Sequence, residues 1–376
     1  MNILFIGPYK QSDEWGRKSK SILKGLQKTQ HRITSRPIFL STNVDAHATI
    51  EQSEFITSDH YDILIQFVLQ PYAVYNGDVT KRIGIFNTET LPYDVPKGQL
   101  TKELLMDEIW TDGPSLKNNI QRTLEQYSPC IKVRSIPPLL DIERLPEKVS
   151  ASIRSSDLDL QHKFIFYYIG NVLEVKSGFR EAYIAYMNTF SHIDNVVFII
   201  AQDVPIPTDT MNKILEDCHK SIGEIRNVKR RPMLKVVQPS GDSFNIQEKI
   251  ALHIEGDCLV SPSYSMSVNS TVLEAAMYHS VPIINKGNSC YEWWGDTNFW
   301  GIDSYEEFCL SAERPVPFRF TAAETWHKPI IKSLGHTMMN AYIDKFQRDK
   351  KIKANTSLRK YFTEASCSTL FEEEVV

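Results

Sequence analysis

The six cysteines (Cys130, Cys218, Cys258, Cys290, Cys309 and Cys367) form no CxxC pair and no short framework. That argues against a zinc knuckle or a disulfide scaffold and predicts thiols in a reducing compartment. No apolar run approaches the ~18 residues that a bilayer span needs. The opening MNILFIGPY is too short and wrongly flanked for a secretory signal, so a cytoplasmic protein is expected. Positive charge is not in excess. Lys and Arg number 42 against 46 Asp and Glu, a net charge of −4, so no global basic field attracts nucleic acid. Basic residues gather only at 226–235 (RNVKRRPMLK) and 345–360 (KFQRDKKIKANTSLRK). Each reads either as a solvated helix face or as a contact for an acidic membrane surface or an anionic acceptor.

Catalytic signatures are also scarce. The first strand is followed by Gly7 and then Gly16, not by GxGxxG, and Trp15-Gly16-Arg17-Lys18-Ser19 lacks the GK[ST] of a phosphate loop. There is no GxSxG, no HExxH and no cluster of His and Cys. The one DxD, Asp157-Leu158-Asp159, lies in a serine-rich stretch ahead of a strand, and no metal is expected there.

What is present is an alternation. Residues 2–7 (NILFIG) form a continuous apolar run, as in a strand buried on both faces of a parallel sheet. Helical spacing at 17–28 follows, then apolar runs at 37–40, 62–69, 82–86, 108–110 and 131–133, with helical candidates at 101–106 and 115–126. Residues 144–162 are polar and serine-rich and read as a linker. The alternation restarts with strands at 163–170, 195–201, 234–237, 257–260 and 281–285 and helices at 179–190, 246–253 and around Glu274; the tail at 322–360 reads as mostly helical. A chain of 376 residues with this pattern predicts two α/β domains facing a cleft. The expected boundaries are 1–148, rejoined by a C-terminal helix at about 338–376, and 160–337.

Within the second domain, 269–284 reads NSTVLEAAMYHSVPII. A helix starting near Asn269, Ser270 and Thr271 presents free N–H groups and hydroxyls, an anion site suited to phosphate. Glu274, one turn in, can accept two hydrogen bonds from a ribose diol. It can equally be an acid near a helix N-terminus, worth a few tenths of a kcal/mol. The ribose reading predicts that removing Glu274 spares the fold.

This stretch resembles the VLEA-containing element of family 4 glycosyltransferases, which have the GT-B fold. The resemblance implies that Glu274 holds the ribose of a nucleotide-diphosphate sugar and that Asn269, Ser270 and Thr271 face its diphosphate. YIGNVLEVKSG at 168–178 is similar to the family's G-R-x-x-x-x-K-G. Gly170 and Lys176 match, Lys176 as a phosphate cation, while Asn171 stands where Arg is usual. GIFNTETLPYD and MDEIWTDGPS resemble a third element, and Gly16 within Trp15-Gly16-Arg17 the glycine loop of the acceptor domain. His279-Ser280 replaces the usual Ala/Cys-Gly at the helix end. The family's other glutamate falls at Met266, expected in a loop at the cleft mouth.

Glu89, in NTETLP, is a candidate base or acceptor ligand from the first domain, or a plain turn residue. Trp293 and Trp294 read as core or as a stacking wall. The resemblance implies a retaining hexosyltransferase that uses Lys176, with Glu89 a candidate catalytic residue beside it, no metal or other cofactor, and a glycan, lipid-linked or small hydroxyl acceptor. A silent nucleotide-sugar-binding protein and a transferase acting on a nucleic-acid base are the alternatives.

Overall fold

The computed structural model of the chain describes residues 1–40, 48–68, 73, 77–86, 90, 105–140, 145–146, 149, 158–203, 205–223, 230–239, 244, 246–309, 324–362 and 371–372. The first domain contains β1 (Asn2–Gly7), α1 (Glu14–Gln27), β2 (Arg32–Pro37), β3 (Tyr61–Phe67), β4 (Val79–Ile85), β5 (Glu108–Thr111), α2 (Pro114–Glu125) and β6 (Lys132–Ser135). Its strands pair in the order β2-β1-β3-β4-β5-β6, all parallel. Apolar residues of β1, β3 and β4 close on α1 through Ile22, Leu23 and Leu26. Strand β2 lies earlier than the apolar run at 37–40 suggests. Its inward face is polar at Ser35, whose Oγ is satisfied by Ser53 Oγ at 2.7 Å and Tyr9 Oη at 3.2 Å.

The second domain runs through β7 (Phe164–Gly170), α3 (Phe179–Thr189), β8 (Val196–Gln202), α4 (Thr208–Gly223), β9 (Met233–Val237), α5 (Ile246–Glu255), β10 (Cys258–Ser261), α6 (Ser270–Met277), β11 (Ile283–Asn285), α7 (Ser289–Asn298) and β12 (Trp300–Ile302). Its order, β12-β11-β10-β7-β8-β9, is also all parallel. Counted from β7, this is the doubly wound order 3-2-1-4-5-6. β8 is buried along its whole length, which is why VVFIIAQ shows no polar alternation. Helix α4 has no counterpart in the reading above, although Met211, Cys218 and Ile222 lie buried along one helical face.

The tail is less uniformly helical than its composition suggests. β13 (Ser304–Phe308) and β14 (Thr325–Pro329) pair antiparallel, and α8 (Ile331–Ile343) and α9 (Lys345–Tyr361) follow. Helix α8 packs on α3, and α9 packs on α6 and α7. Beyond them Phe371 returns to the first domain's core, 6.0 Å from the Trp110 ring. In the basic stretch at 345–360, Lys351 does not face outward. It is 6% exposed and donates to the carbonyls of Asp296 and Phe299 at the end of α7. No helix among the described residues is long and apolar enough to cross a membrane.

Helix α6 stops where it does because the chain turns left-handed at His279, φ 72°, and Ser280 N–H reaches back to the Ala275 carbonyl at 3.2 Å. This is the position that glycine normally takes after a helix. His279→Gly is therefore expected to stabilise the protein by about 0.5–1 kcal/mol, net of glycine's extra freedom in the unfolded chain. Urea titration reads this directly; a loss of stability would mean that the imidazole makes a compensating contact.

Candidate functional site

In a doubly wound sheet, ligands bind beyond the carboxyl ends of the strands where the order reverses. In the second domain that point lies between β7 and β10. The two loops leaving it are tied together: Tyr264 N–H and Ser263 Oγ donate to the Lys176 carbonyl at 2.9 and 3.2 Å. Gly178 is left-handed, φ 72°, and a Cβ there would lie 2.1 Å from the Pro262 carbonyl. Any side chain at 178 would force the loops apart. Gly170 closes β7 under the Tyr168 hydroxyl, 2.7 Å from where a Cβ would stand. Asn171 serves the turn, its Oδ1 accepting from Leu173 N–H at 3.0 Å and Gln202 Nε2 at 3.3 Å.

The β10 loop leads into α6. Asn269 is its N-cap, with Oδ1 accepting from Thr271 N–H at 3.0 Å. Ser270, the first residue of the helix, donates its N–H and Oγ–H to the two carboxylate oxygens of Glu14, at 2.9 and 2.6 Å. An anion thus sits on the helix N-terminus, as the free N–H groups there favour, and it is supplied by the other domain. Asp13 caps α1 by accepting from Gly16 N–H at 2.9 Å. A Cβ at Gly16 would lie 2.0 Å from the Gln11 carbonyl, so glycine lets the chain fold tightly enough to aim Glu14 and Arg17 at the second domain. Arg17 pairs with Glu14 at 2.8 Å, and its Nε has no hydrogen-bond partner.

Glu274 lies one turn deeper and is 2% exposed. Its Oε2 is 3.8 Å from both Lys249 Nζ and His253 Nε2, which are themselves buried on α5, and makes no hydrogen bond. His253 Nδ1 meets the Tyr167 hydroxyl at 2.8 Å. Burial raises the Glu274 carboxyl, but the Lys249 charge, with His253 and Arg17, overcomes it and holds the group well below the usual carboxylate range. Burial pushes the His253 imidazole down. Glu274 is therefore an ionised carboxylate countering a buried ammonium beside a neutral histidine.

Met266 is 2% exposed. Its carbonyl accepts from Ser289 N–H at 2.8 Å and Ser289 Oγ at 2.7 Å. The expected loop at the cleft mouth is thus folded inward at this residue. Trp293 is half-buried at the domain boundary, donating Nε1–H to the Asp112 carbonyl at 2.7 Å. Trp294 packs against Tyr361 and Phe362, at 6.0 and 5.9 Å, and belongs to the second core. Glu89 and Asp157 lie outside the described residues, and Asp159 is exposed in a short 3-10 turn.

Among the described residues the domains also meet at Asp112 and at Glu292. Asp112, just after β5, accepts from Lys18 Nζ at 3.0 Å, Ser267 Oγ at 3.0 Å and Val268 N–H at 3.2 Å. Glu292 of α7 accepts from Ser115 N–H and Oγ at the start of α2, whose own N-cap, Gly113, has no side chain to offer. Each domain therefore places one carboxylate on a helix N-terminus of the other. Sequence reading missed Glu14, Lys18, Asp112 and Glu292 because their partners are 94 to 256 residues away. Lys249 and His253 were within reach, since a spacing of four puts both on one face of α5.

The chain matches no protein-family model, and no curated protein matches it in sequence. Solved structures do match. One is a UDP-forming alpha,alpha-trehalose-phosphate synthase from Burkholderia xenovorans, with 11% identity, a TM-score of 0.62, and 99% of this chain and 98% of that one covered. Another, from E. coli, is described as trehalose-6-phosphate bound with UDP-2-fluoro glucose; it has 8% identity, a TM-score of 0.64, and 100% and 98% coverage. The N-terminal domain of a Candida albicans trehalose-6-phosphate phosphatase gives 10% identity, a TM-score of 0.64, and 100% and 96% coverage. At such identities the agreement is one of architecture, and it extends over both domains. The chain has the GT-B fold: two parallel-sheet α/β domains facing each other across a cleft.

Proposed function

We propose that the protein is a glycosyltransferase that moves a hexosyl group from a nucleotide-diphosphate sugar to a hydroxyl acceptor, with retention, and that it is a divergent member of family 4. The observation that carries this reading is the N-terminus of α6. It opens at the strand-order reversal, holds a carboxylate through Ser270 N–H and Oγ–H, and has Glu274 one turn behind it. A diphosphate needs the same donors at the same distance. As the glycosidic bond breaks, charge grows on the leaving diphosphate, and fixed N–H dipoles stabilise it without a metal. Lys176, on the loop tied to Ser263 and Tyr264, is the cation assigned to that phosphate. The solved structures with the same architecture supply a parallel, since one is described as a UDP-forming synthase and another as bound with a UDP sugar analogue. A further one is described in work on glycosyltransfer with retention.

The buried thioether at Met266 favours one other reading, a protein that binds nucleotide sugars without turning them over. A panel of UDP-, GDP- and ADP-sugars read by thermal shift, followed by assay for released nucleoside diphosphate, tests both. A ligand at 100 times its dissociation constant adds ~2.7 kcal/mol. A shift with diphosphate release supports the transferase, a shift without release supports the silent binder, and no shift with any donor rejects the proposal.

A further inference from the structure

Glu14 sits where a donor diphosphate is expected, and that placement poses a question the donor reading alone does not answer. Its two oxygens take the Ser270 N–H and Oγ–H at 2.9 and 2.6 Å. Arg17, one turn on, donates to Oε2 at 2.8 Å. Burial raises the Glu14 carboxyl, but Arg17, Lys18 and the Ser270 hydroxyl outweigh it and keep the group ionised. A diphosphate and this carboxylate cannot occupy one set of donors, and two anions in contact repel.

Arg17 carries the second half of the observation. Burial by itself lowers the basicity of its guanidinium. Glu14, Glu274 and Asp203 more than reverse that, so one cation sits in the field of three carboxylates, two of them from the second domain. Its Nε–H is buried without a partner, as is Oε2 of Glu274 beyond it. Both side chains of the Glu14–Arg17 pair keep contact with solvent, Arg17 at 33% and Glu14 at 31% exposure, so exchanging one anion for another needs no core to open. Asn171, on the loop after β7, offers no charge and is committed to its turn.

We propose that Arg17, carried across the cleft by the first domain, is the second phosphate cation of this site, and that Glu14 is a resident anion which the donor diphosphate displaces. The proposal rests on the donor reading above and adds to it a specific competitor and a specific replacement charge. When the diphosphate arrives, Glu14 rotates away from Ser270, and Arg17 exchanges a carboxylate for a phosphate oxygen, for which its planar fork is suited. The ligand-free domains are then held closed partly by a contact that binding must break, and affinity is set by that exchange.

The test uses the full chain and two kinds of probe, inorganic pyrophosphate and the nucleoside diphosphates UDP, GDP and ADP, titrated by calorimetry. Glu14→Gln keeps an acceptor for Ser270 and removes the competing charge; it is expected to tighten diphosphate binding at least fivefold. Arg17→Gln is expected to weaken it at least tenfold. Arg17→Lys should recover most of that loss, and adding Asn171→Arg to Arg17→Gln should recover it as well by supplying the charge from the loop after β7. Melting curves on each variant separate loss of binding from loss of fold. If the parent binds a diphosphate and neither Glu14→Gln nor Arg17→Gln changes its affinity, the exchange is overturned while the donor reading survives. If Glu14→Gln weakens binding, Glu14 assists the ligand instead of competing with it, and the proposal fails. Binding that appears only in Glu14→Gln supports it in its strongest form. No binding by the parent, by Glu14→Gln or by Asn171→Arg overturns the donor reading and this proposal together.

Discussion

Glu274→Ala is expected to cost about 3–5 kcal/mol of stability, because it leaves the Lys249 ammonium buried without its counter-charge. Lys249 and Glu274 are only 5% and 2% exposed, and their charged atoms are 3.8 Å apart. The ribose role read from the sequence predicts that the fold is spared; the burial of Glu274 reverses that expectation. The two roles can be separated by a double variant. Glu274→Ala with Lys249→Met removes both charges and fills the space of the ammonium's stem, so stability should return to within roughly 1–2 kcal/mol of the parent. Donor-nucleotide binding should not return, since a charged hydrogen bond to a ribose diol is worth roughly 1.5–3 kcal/mol. Urea titration and calorimetry on the three proteins decide the matter. A double variant that recovers both stability and binding makes Glu274 a counter-ion and nothing more. A single variant as stable as the parent contradicts the buried pair.

The same contrast shows what the sequence could reveal. The sheets were legible because parallel strands buried on both faces must be apolar throughout, as in 164–170 and 196–202. The α6 junction was legible because a cap, a short helix and a following strand impose local chemistry: Asn269 caps, and Val281-Pro282 resumes the chain into β11. Strand β2 was not, since its inward Ser35 is satisfied by hydrogen bonds that no apolar pattern betrays. The hairpin of β13 and β14 was hidden for another reason. Its second strand falls in the tail at 322–360, whose composition looks helical, and the docking of Trp326 on Tyr264, 5.2 Å between rings, helps to fix it as a strand. At the candidate site the limit is separation along the chain. Ser270 advertises an anion, but nothing within a few residues says that the anion is Glu14, 256 positions away.

Met266→Glu addresses the position where the family resemblance fails. In the sequence, a loop rich in serine and close to the cleft promises enough water to solvate a carboxylate. In the structure, Met266 is 2% exposed, between the buried Tyr264 and Val268, with its carbonyl fixed by Ser289. A glutamate there must either carry an unpaired charge into the core or take up a proton, and each costs several kcal/mol. The expected result is a loss of at least 3 kcal/mol in urea titration, with donor binding falling in step with the folded fraction. Met266→Leu, similar in volume and apolar, should cost less than about 1.5 kcal/mol and leave binding unchanged. The pair of variants distinguishes charge from shape. Should Met266→Glu fold as stably as the parent and gain turnover, the loop must open to the cleft in solution. The carboxylate would then supply the sugar contact that the family resemblance places at this position. Should Met266→Leu also collapse, the site is intolerant of any change in shape, and the penalty for glutamate says nothing about charge.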